Sequence, residues 1–561
     1  MARPVGIGYQ DFEQLITEHV FYVDKTLFIK EWWENRDIVT LITRPRRFGK
    51  TLTMDMTEKF FSVKYANRGE LFESLAIWEE EHYRELQGTY PVISLSFANI
   101  KEMDFENCRR KICYLLANLY SDHNFLLENG NLSSLEQDFF KRVSVDMGDV
   151  EASLALNELS KYLCRYYGKK VIILLDEYDT PLQEAYVNGY WEKLVGFTRG
   201  IFNAAFKTNP WLDRAIMTGI TRVSKESIFS DLNNLTVVTT TSRKYEDCFG
   251  FTQEEVVDAL AEYGLGKEEN DVRDWYDGFT FGNRTDIYNP WSIINYLGEQ
   301  RFSTYWVDSS SNRLVGKLIR EGNQEIKMIM EDLLDGKSIG VEVDEQIVFS
   351  ELDENESSIW SLLLASGYLK VERYRMDEEW GTDKYELSLT NKEVRIMFRK
   401  LIKGWFGKSI FAYNAFVKAL LRADVKSMNA YMNKVALDMI SYFDTGKKPS
   451  EVTEPERFYH GFVLGLIVDL TGRYTVTSNR ESGFGRYDVM LEPCHEEDDA
   501  MILEFKVYDP EEENTLSDTV KSALAQIEEK QYSSVLEVKG IAAERIRKYG
   551  FAFEGKKVLI G

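Results

Sequence analysis

A chain of 561 residues exceeds what one hydrophobic core organises, so three or four domains are expected. Its 44% hydrophobic and 29% charged residues are those of a folded globular protein, and no apolar run approaches the roughly 18 residues of a spanning helix, so no membrane is expected. A net charge of −24 argues against indiscriminate binding to nucleic-acid phosphates while leaving room for a local basic groove; five scattered cysteines and a start, "MARPVGIGYQDF", without a secretory pattern lead to the expectation of a reducing cytoplasm.

The first element that carries chemistry is the apolar, β-branched run at 38–42, which reads as a strand buried on both faces of a parallel sheet. "RPRRFGKT" (44–51) follows it and enters a helix from about Lys50. The stretch ends as a phosphate-binding loop ends, but Arg44 and Pro45 stand where the pattern G-x-x-x-x-G-K-[ST] wants glycine. A residue before proline favours extended backbone, so Arg44 cannot copy a glycine at positive φ and the loop must enter by another path. What phosphate chemistry needs is retained. The free N–H groups and positive dipole end of a helix start favour an anion, Gly49 permits close approach, and Lys50 adds charge for the terminal phosphates. Thr51 offers a hydroxyl to Mg²⁺, and Arg46 and Arg47 add charge. By itself the stretch reads equally well as a basic turn that spells GKT.

"KKVIILLDEYDTPL" places five apolar residues, 171–175, directly before Asp176 and Glu177. Carboxylates at the carboxyl end of a buried parallel strand sit where such sheets bind ligands. Asp176 is then suited to hold Mg²⁺ and Glu177 to orient or deprotonate an attacking water; acidic turn formers at a strand end are the blander account. A third strand, "RAIMTGITRV" (214–223), carries Thr218 and, just beyond, Arg222. Thr218 can meet a γ-phosphate if this strand lies between the two others, and Arg222 can stabilise transition-state charge; a capped turn and a surface arginine explain them as well. "YPVISLSF" (90–97) and "NLTVVTTT" (234–241) complete an expected five-stranded sheet.

Together "FYVDKT", "RPRRFGKT", "LLDEYDTPL", "TGITRVSKESIFSDLNN" and "YDGFTFG…IYNPWSI" resemble the bacterial AAA-ATPase-like family from about residue 6 into the 300s. The resemblance implies ATP and Mg²⁺ as ligands and an arginine-rich loop as usual. It also implies a nuclease-superfamily domain at the other end, and a neighbour's arginine completing the site in a homo-oligomer. It further implies Asp24 and Lys25 as contributors to the nucleotide pocket, where a capped helix start is the local alternative.

The middle of the chain reads as scaffolding. Thr252 and Glu255 form a capping-box pattern, and "YDGFTFGNRTDIYNPWSIINYL" (276–297) reads as an ordered hairpin more than a base-stacking surface. The stretch from 357 to 394 reads helix, strand, strand, helix, as in a winged-helix-like connector, with too little basic charge for a DNA reader. "DTGKKPSEVTEPER" (444–457) is the best linker.

Beyond it, Asp488 sits in one apolar strand, and Glu504 and Lys506 share a face of another. If the strands pair, Asp488 lies beside Glu504 and two carboxylates can hold one Mg²⁺, with Lys506 stabilising a hydroxide; E-F-K alone is explained by a solvated face. The order helix, strand, D-strand, E-x-K strand, helix resembles the PD-(D/E)XK nuclease superfamily from about residue 454 onward, without the motif's usual proline before Asp488. That resemblance implies catalytic roles for Asp488, Glu504 and Lys506, and an upstream acid at Glu456, with Glu451 and Glu454 as competitors. On the following helix, Gln526 and Lys530 can reach the site or a phosphate.

The expected architecture is α/β and multidomain. It has a P-loop NTPase (AAA-like) parallel-sheet domain over 1–244, a helical lid over 245–350, a winged-like and helical connector over 351–443, and a PD-(D/E)XK restriction-endonuclease-like domain over 444–561. The expected function is an ATP-hydrolysing switch controlling a Mg²⁺-dependent nuclease on DNA, in defence against mobile elements. The rival is a nucleotide-dependent binding or assembly protein whose last domain recognises nucleic acid or protein without cutting.

Overall fold

Strand β1 (Val39–Thr43) is buried at every position, as an unalternating apolar run requires; Ile38, expected within it, is exposed. The structure is a computed structural model that describes the chain apart from residues 1, 129, 222–228, 230–231, 310–314, 317, 320–323, 335, 344–355, 378–381, 406–409, 444–462, 464–466, 468–469, 471–472, 483–484, 496, 511 and 555–556. Arg222, Glu456 and the expected linker at 444–457 lie outside the described residues. The chain divides into two units, one of Met1–Glu321 with Ile329–Phe398 and one of Gly322–Met328 with Arg399–Gly561.

The first unit is built on five parallel strands. They are β1, β2 (Val92–Ser96), β3 (Val171–Asp176), β4 (Leu212–Gly219) and β5 (Leu235–Val238), in the order β2-β3-β4-β1-β5. Parallel strands need crossover connections, and the long helices Phe105–Ser121, Asp149–Tyr167 and Trp191–Phe202 occur in them. The register pairs Ile42 with Thr218, so β4 lies between the strand that feeds the GKT turn and the strand that ends in Asp176. All three therefore end at one edge of the sheet.

The stretch 245–350, expected as a helical lid, is not purely helical. It contains an antiparallel sheet of β6 (Phe251–Thr252), β7 (Phe279–Phe281) and β8 (Arg284–Tyr288), ordered β6-β8-β7. The capping box of Thr252 and Glu255 is present. β9 (Ile339–Glu342), β10 (Leu369–Asp377) and β11 (Thr382–Leu389) form a second antiparallel sheet. With helices Glu356–Ala365 and Lys392–Trp405 they reproduce the expected helix–strand–strand–helix order.

The second unit has a mixed five-stranded sheet, β12 (Tyr474–Ser482), β13 (Gly485–Pro493), β14 (Ala500–Val507), β15 (Ile546–Glu554) and β16 (Lys557–Ile560), in sequential order. Only β14 and β15 run parallel, joined by the crossover helix Leu516–Glu529. The edge strand β16 is closed by two asparagines of helix Val425–Phe443. Asn429 and Asn433 each accept an amide N–H of β16 and donate to a carbonyl, at 2.6–3.0 Å, imitating a neighbouring strand. The expected connector thus does not hold together as one body, because its last helices belong to this unit.

Candidate functional site

The GKT turn is built by burying its irregular half. Gly49 adopts φ 83 and caps the helix Lys50–Phe61. Arg47, not Arg44, supplies the other left-handed position, at φ 65. Arg44 is fully buried, and its guanidinium donates to the carbonyls of Thr43 (3.0 Å), Thr239 (2.7 Å) and Tyr245 (3.3 Å) while lying 4.4 Å from the Phe281 ring centroid. Arg44 is therefore a strut under the loop, a role that its place in the motif did not suggest. Phe48 packs its ring against Phe279 and Phe281 of β7, so the Gly-rich aromatic hairpin backs the loop.

Five expected residues, Lys50, Thr51, Asp176, Glu177 and Thr218, converge at the carboxyl ends of the strands. Thr51 Oγ1 donates to Asp176 Oδ2 at 2.8 Å, and Thr218 Oγ1 donates to Asp176 Oδ1. Glu177 adopts φ 55, its N–H donates to Thr218 Oγ1 at 3.2 Å, and its carboxylate lies 3.9 Å from Lys50 Nζ. A left-handed glutamate is uncommon, and here the conformation carries the acid beside the lysine. Lys50 is buried and donates to the carbonyls of Arg44 (3.0 Å) and Pro45 (2.9 Å). Burial raises the Asp176 pKa and the neighbouring Glu177 adds to the rise, against lowering by Thr218, Thr51 and Lys50. A buried carboxylate held in this way favours a cation.

The arginines and the more distant residues are placed differently. Arg46 reaches Gln183 Oε1 at 3.3 Å, and the exposed Arg47 lies 4.3 Å from the Trp291 ring centroid. Asp24 accepts from Thr26 N–H and Oγ1 and from Ala76 N–H, and Lys25 donates to Glu255 and to the Asp247 carbonyl. These bonds tie the turn before helix Leu27–Asn35 to the start of helix Ala76–Glu79 and to residues 247 and 255. Helix Leu27–Asn35 carries no side-chain cap at Thr26, and among the described residues none of the bonds goes to the cluster around Asp176. Asp179, not singled out in the sequence, is buried and accepts from Gln183 and from the Ile220 and Thr221 N–H groups, tying the end of β3 to the turn after β4. The repeated acids in "DEYD" were the only available signal for it.

In the second unit, β13 and β14 pair antiparallel with Val489 opposite Leu503, and one further step brings Asp488 and Glu504 side by side. There the carboxylates replace the backbone ladder. The Phe505 N–H donates to Asp488 Oδ2 at 2.8 Å and the Asp488 N–H to Glu504 Oε2 at 3.4 Å. Burial pushes the Asp488 carboxyl up to about 6, against lowering by the Phe505 N–H and Lys506. Glu504 is buried and accepts from Gln526, whose amide also donates to Tyr532 Oη at 3.2 Å. Lys506 Nζ donates to Ser522 Oγ at 3.2 Å. Lys530, at the exposed helix end, is not drawn into these contacts. Ser522 on the helix and Tyr532 in the turn after it were missed, because small and aromatic residues in such places read as packing.

A parallel sheet with β4 between the loop strand and the acid strand, and a hydroxyl of the GKT turn on that acid, defines a domain with the P-loop NTPase fold. The mixed sheet with Asp488, Glu504 and Lys506 at adjoining strands defines a nuclease-like α/β domain. Residues 6–229 match the family described as "Predicted AAA-ATPase", ending short of the 300s, and residues 454–561 match the PD-(D/E)XK nuclease superfamily. The chain thus carries an AAA-ATPase-like domain at residues 6–229 and a PD-(D/E)XK superfamily domain at residues 454–561. It is also similar to a protein of Azotobacter chroococcum mcd 1 described as "Uncharacterized protein in vnfD 5'region". The two are 24% identical over 400 residues, which cover 70% of this chain and 68% of that one.

Proposed function

We propose that the protein is an ATP-hydrolysing switch whose AAA-like domain controls a Mg²⁺-dependent nuclease acting on DNA, with defence against mobile elements as its setting. The observation that carries this reading is the presence, on one chain, of the Thr51–Asp176–Thr218 cluster and the Asp488–Glu504 pair. Both donor sets are hard oxygen ligands around carboxylates that are buried (Asp176, Glu504) or half-buried (Asp488), which suits Mg²⁺. Thr51 and Asp176 would hold it at the first site, and Asp488 and Glu504 at the second. When bound, Mg²⁺ neutralises phosphate charge and lowers the pKa of water. Lys50 supplies a charge for the terminal phosphates of ATP, and Glu177 orients and accepts a proton from the attacking water. Gln526 holds Glu504 in orientation, and Lys506, kept in place by Ser522, stabilises a developing hydroxide.

The test uses full-length protein with Mg²⁺ and ATP on linear, single-stranded and branched DNA. Wild type is expected to cleave at least one substrate, Lys506→Ala to lose cleavage by about 10²-fold or more, and Lys50→Ala to lose its ATP dependence. Identical behaviour of wild type and Lys506→Ala would overturn the nuclease reading. The second reading, a switch that binds nucleic acid or protein without cutting, draws on the satisfaction of both carboxylates by backbone N–H groups. ATP-dependent binding without cleavage, and no Mg²⁺-linked stabilisation that Asp488→Ala removes, would favour it.

A further inference from the structure

The main-chain carbonyl of Arg46 is gripped from outside the phosphate loop. Trp306 Nε1 donates to it at 3.0 Å and Asn289 Nδ2 at 3.3 Å. Both donors are anchored on one buried carboxylate. Glu393 Oε1 accepts the Trp306 N–H at 2.6 Å, and Glu393 Oε2 accepts the Ser292 hydroxyl at 2.8 Å, in the helix turn that Asn289 caps. The Trp306 indole is also fixed between rings, 5.3 Å from Phe279 and 5.5 Å from Tyr368 by centroid, and Phe279 in turn meets Phe48 of the loop.

A trans peptide is planar, so fixing the Arg46 carbonyl also fixes the Arg47 N–H, which points the opposite way. In a phosphate loop the N–H groups are what the anion meets. This loop lacks the glycine that would let its first residues turn freely, and Arg47 sits at φ 65 where a side chain is unfavourable. An external grip on that peptide supplies the order which the local sequence cannot.

We propose that Trp306 and Asn289, both anchored on Glu393, are positioning residues that preset the Arg46–Arg47 peptide for a nucleotide phosphate, so that occupancy of the loop is read by helix Lys392–Trp405. This rests on the reading of the loop as an ATP site and adds its regulation. By reciprocity, whatever displaces that helix alters nucleotide affinity, and nucleotide in turn tightens the helix.

Two substitutions in the full-length chain test it. Trp306→Phe keeps a ring and removes the indole donor, and Asn289→Asp keeps the cap and removes the amide donor. Hydrogen exchange in the ligand-free protein is expected to quicken several-fold across residues 45–49 in both. ATP affinity with MgCl₂ is expected to fall about tenfold, the scale of one lost hydrogen bond. ATP is expected to slow exchange at 305–307 in wild type and to lose that effect in Trp306→Phe. Unchanged loop exchange in both variants would overturn the proposal whether or not ATP binds. Failure of wild type to bind ATP, with loop exchange quickened as expected, would overturn the ATP reading and leave the preset peptide standing.

Discussion

Arg44 shows how a residue can depart from a motif and still serve it. Its charge is distributed over main-chain carbonyls of the loop at 239–245, a ligand set that exists only once that loop has folded against it. Nothing within a few residues of Arg44 announces this, whereas Gly49, Lys50 and Thr51 were legible because their chemistry depends on a helix start alone. Asp24 and Lys25 teach the converse, since "DKT" reads alike as a cap or as a pocket until the remote partners Ala76 and Glu255 are known. Asp176 carries a prediction at this scale. Its charge is buried and its pKa raised, so Asp176→Asn is expected to leave ligand-free stability unchanged or higher by about 1 kcal/mol while removing Mg²⁺-dependent nucleotide binding. Melting curves with and without MgCl₂ and ATP read both effects. A clear loss of ligand-free stability would show that the carboxylate is a net stabiliser.

Elements were legible where burial alone shaped them. The strands β1 and β3 stand out as apolar runs, and Asp488 beside Glu504 needed only the pairing of two visible strands. The place of β4 between β1 and β3 was not legible, because order in a sheet is set by crossovers rather than by local pattern. The tie through Glu393 was equally hidden, with partners 87 and 101 residues away in sequence. That glutamate makes helix Lys392–Trp405 pH-sensitive. Burial pushes its carboxyl up to about 7 from 4.5, although the Ser292 hydroxyl and the Trp306, Val307 and Tyr305 N–H groups pull it down. Between those values the folded chain keeps a proton that the unfolded chain has released, so stability from this group is full below about 4.5 and is lost as pH rises through about 7. Wild type is therefore expected to melt progressively lower over that interval than Glu393→Gln does relative to its own value at pH 4.5. Parallel melting profiles for the two would contradict this account.

At the scale of the whole molecule, the sequence divides by motif and the structure divides by contact, and the two divisions differ. The stretch expected as one connector contributes its winged-like half to the first unit and its last two helices to the second. Hydropathy gave the helices, but which core receives them depends on tertiary partners such as Phe416 and Met432, which are buried in one cluster with Val489 and Phe551. Among the described residues, no helix is long and apolar enough to cross a membrane. The order of the parallel sheet has a further consequence, for biosynthesis. β1 is made early, yet the neighbour that separates it from β3 ends only at Gly219. At ~5–20 residues per second, the emerging chain exposes an apolar interior strand and an incomplete phosphate loop for roughly ten seconds or more before the sheet can close. Ribosome-bound chains halted before Thr218 emerges are expected to retain no ATP, and chains halted well beyond Phe398 to retain it. Retention by the shorter chains would show that the loop assembles without its central strand.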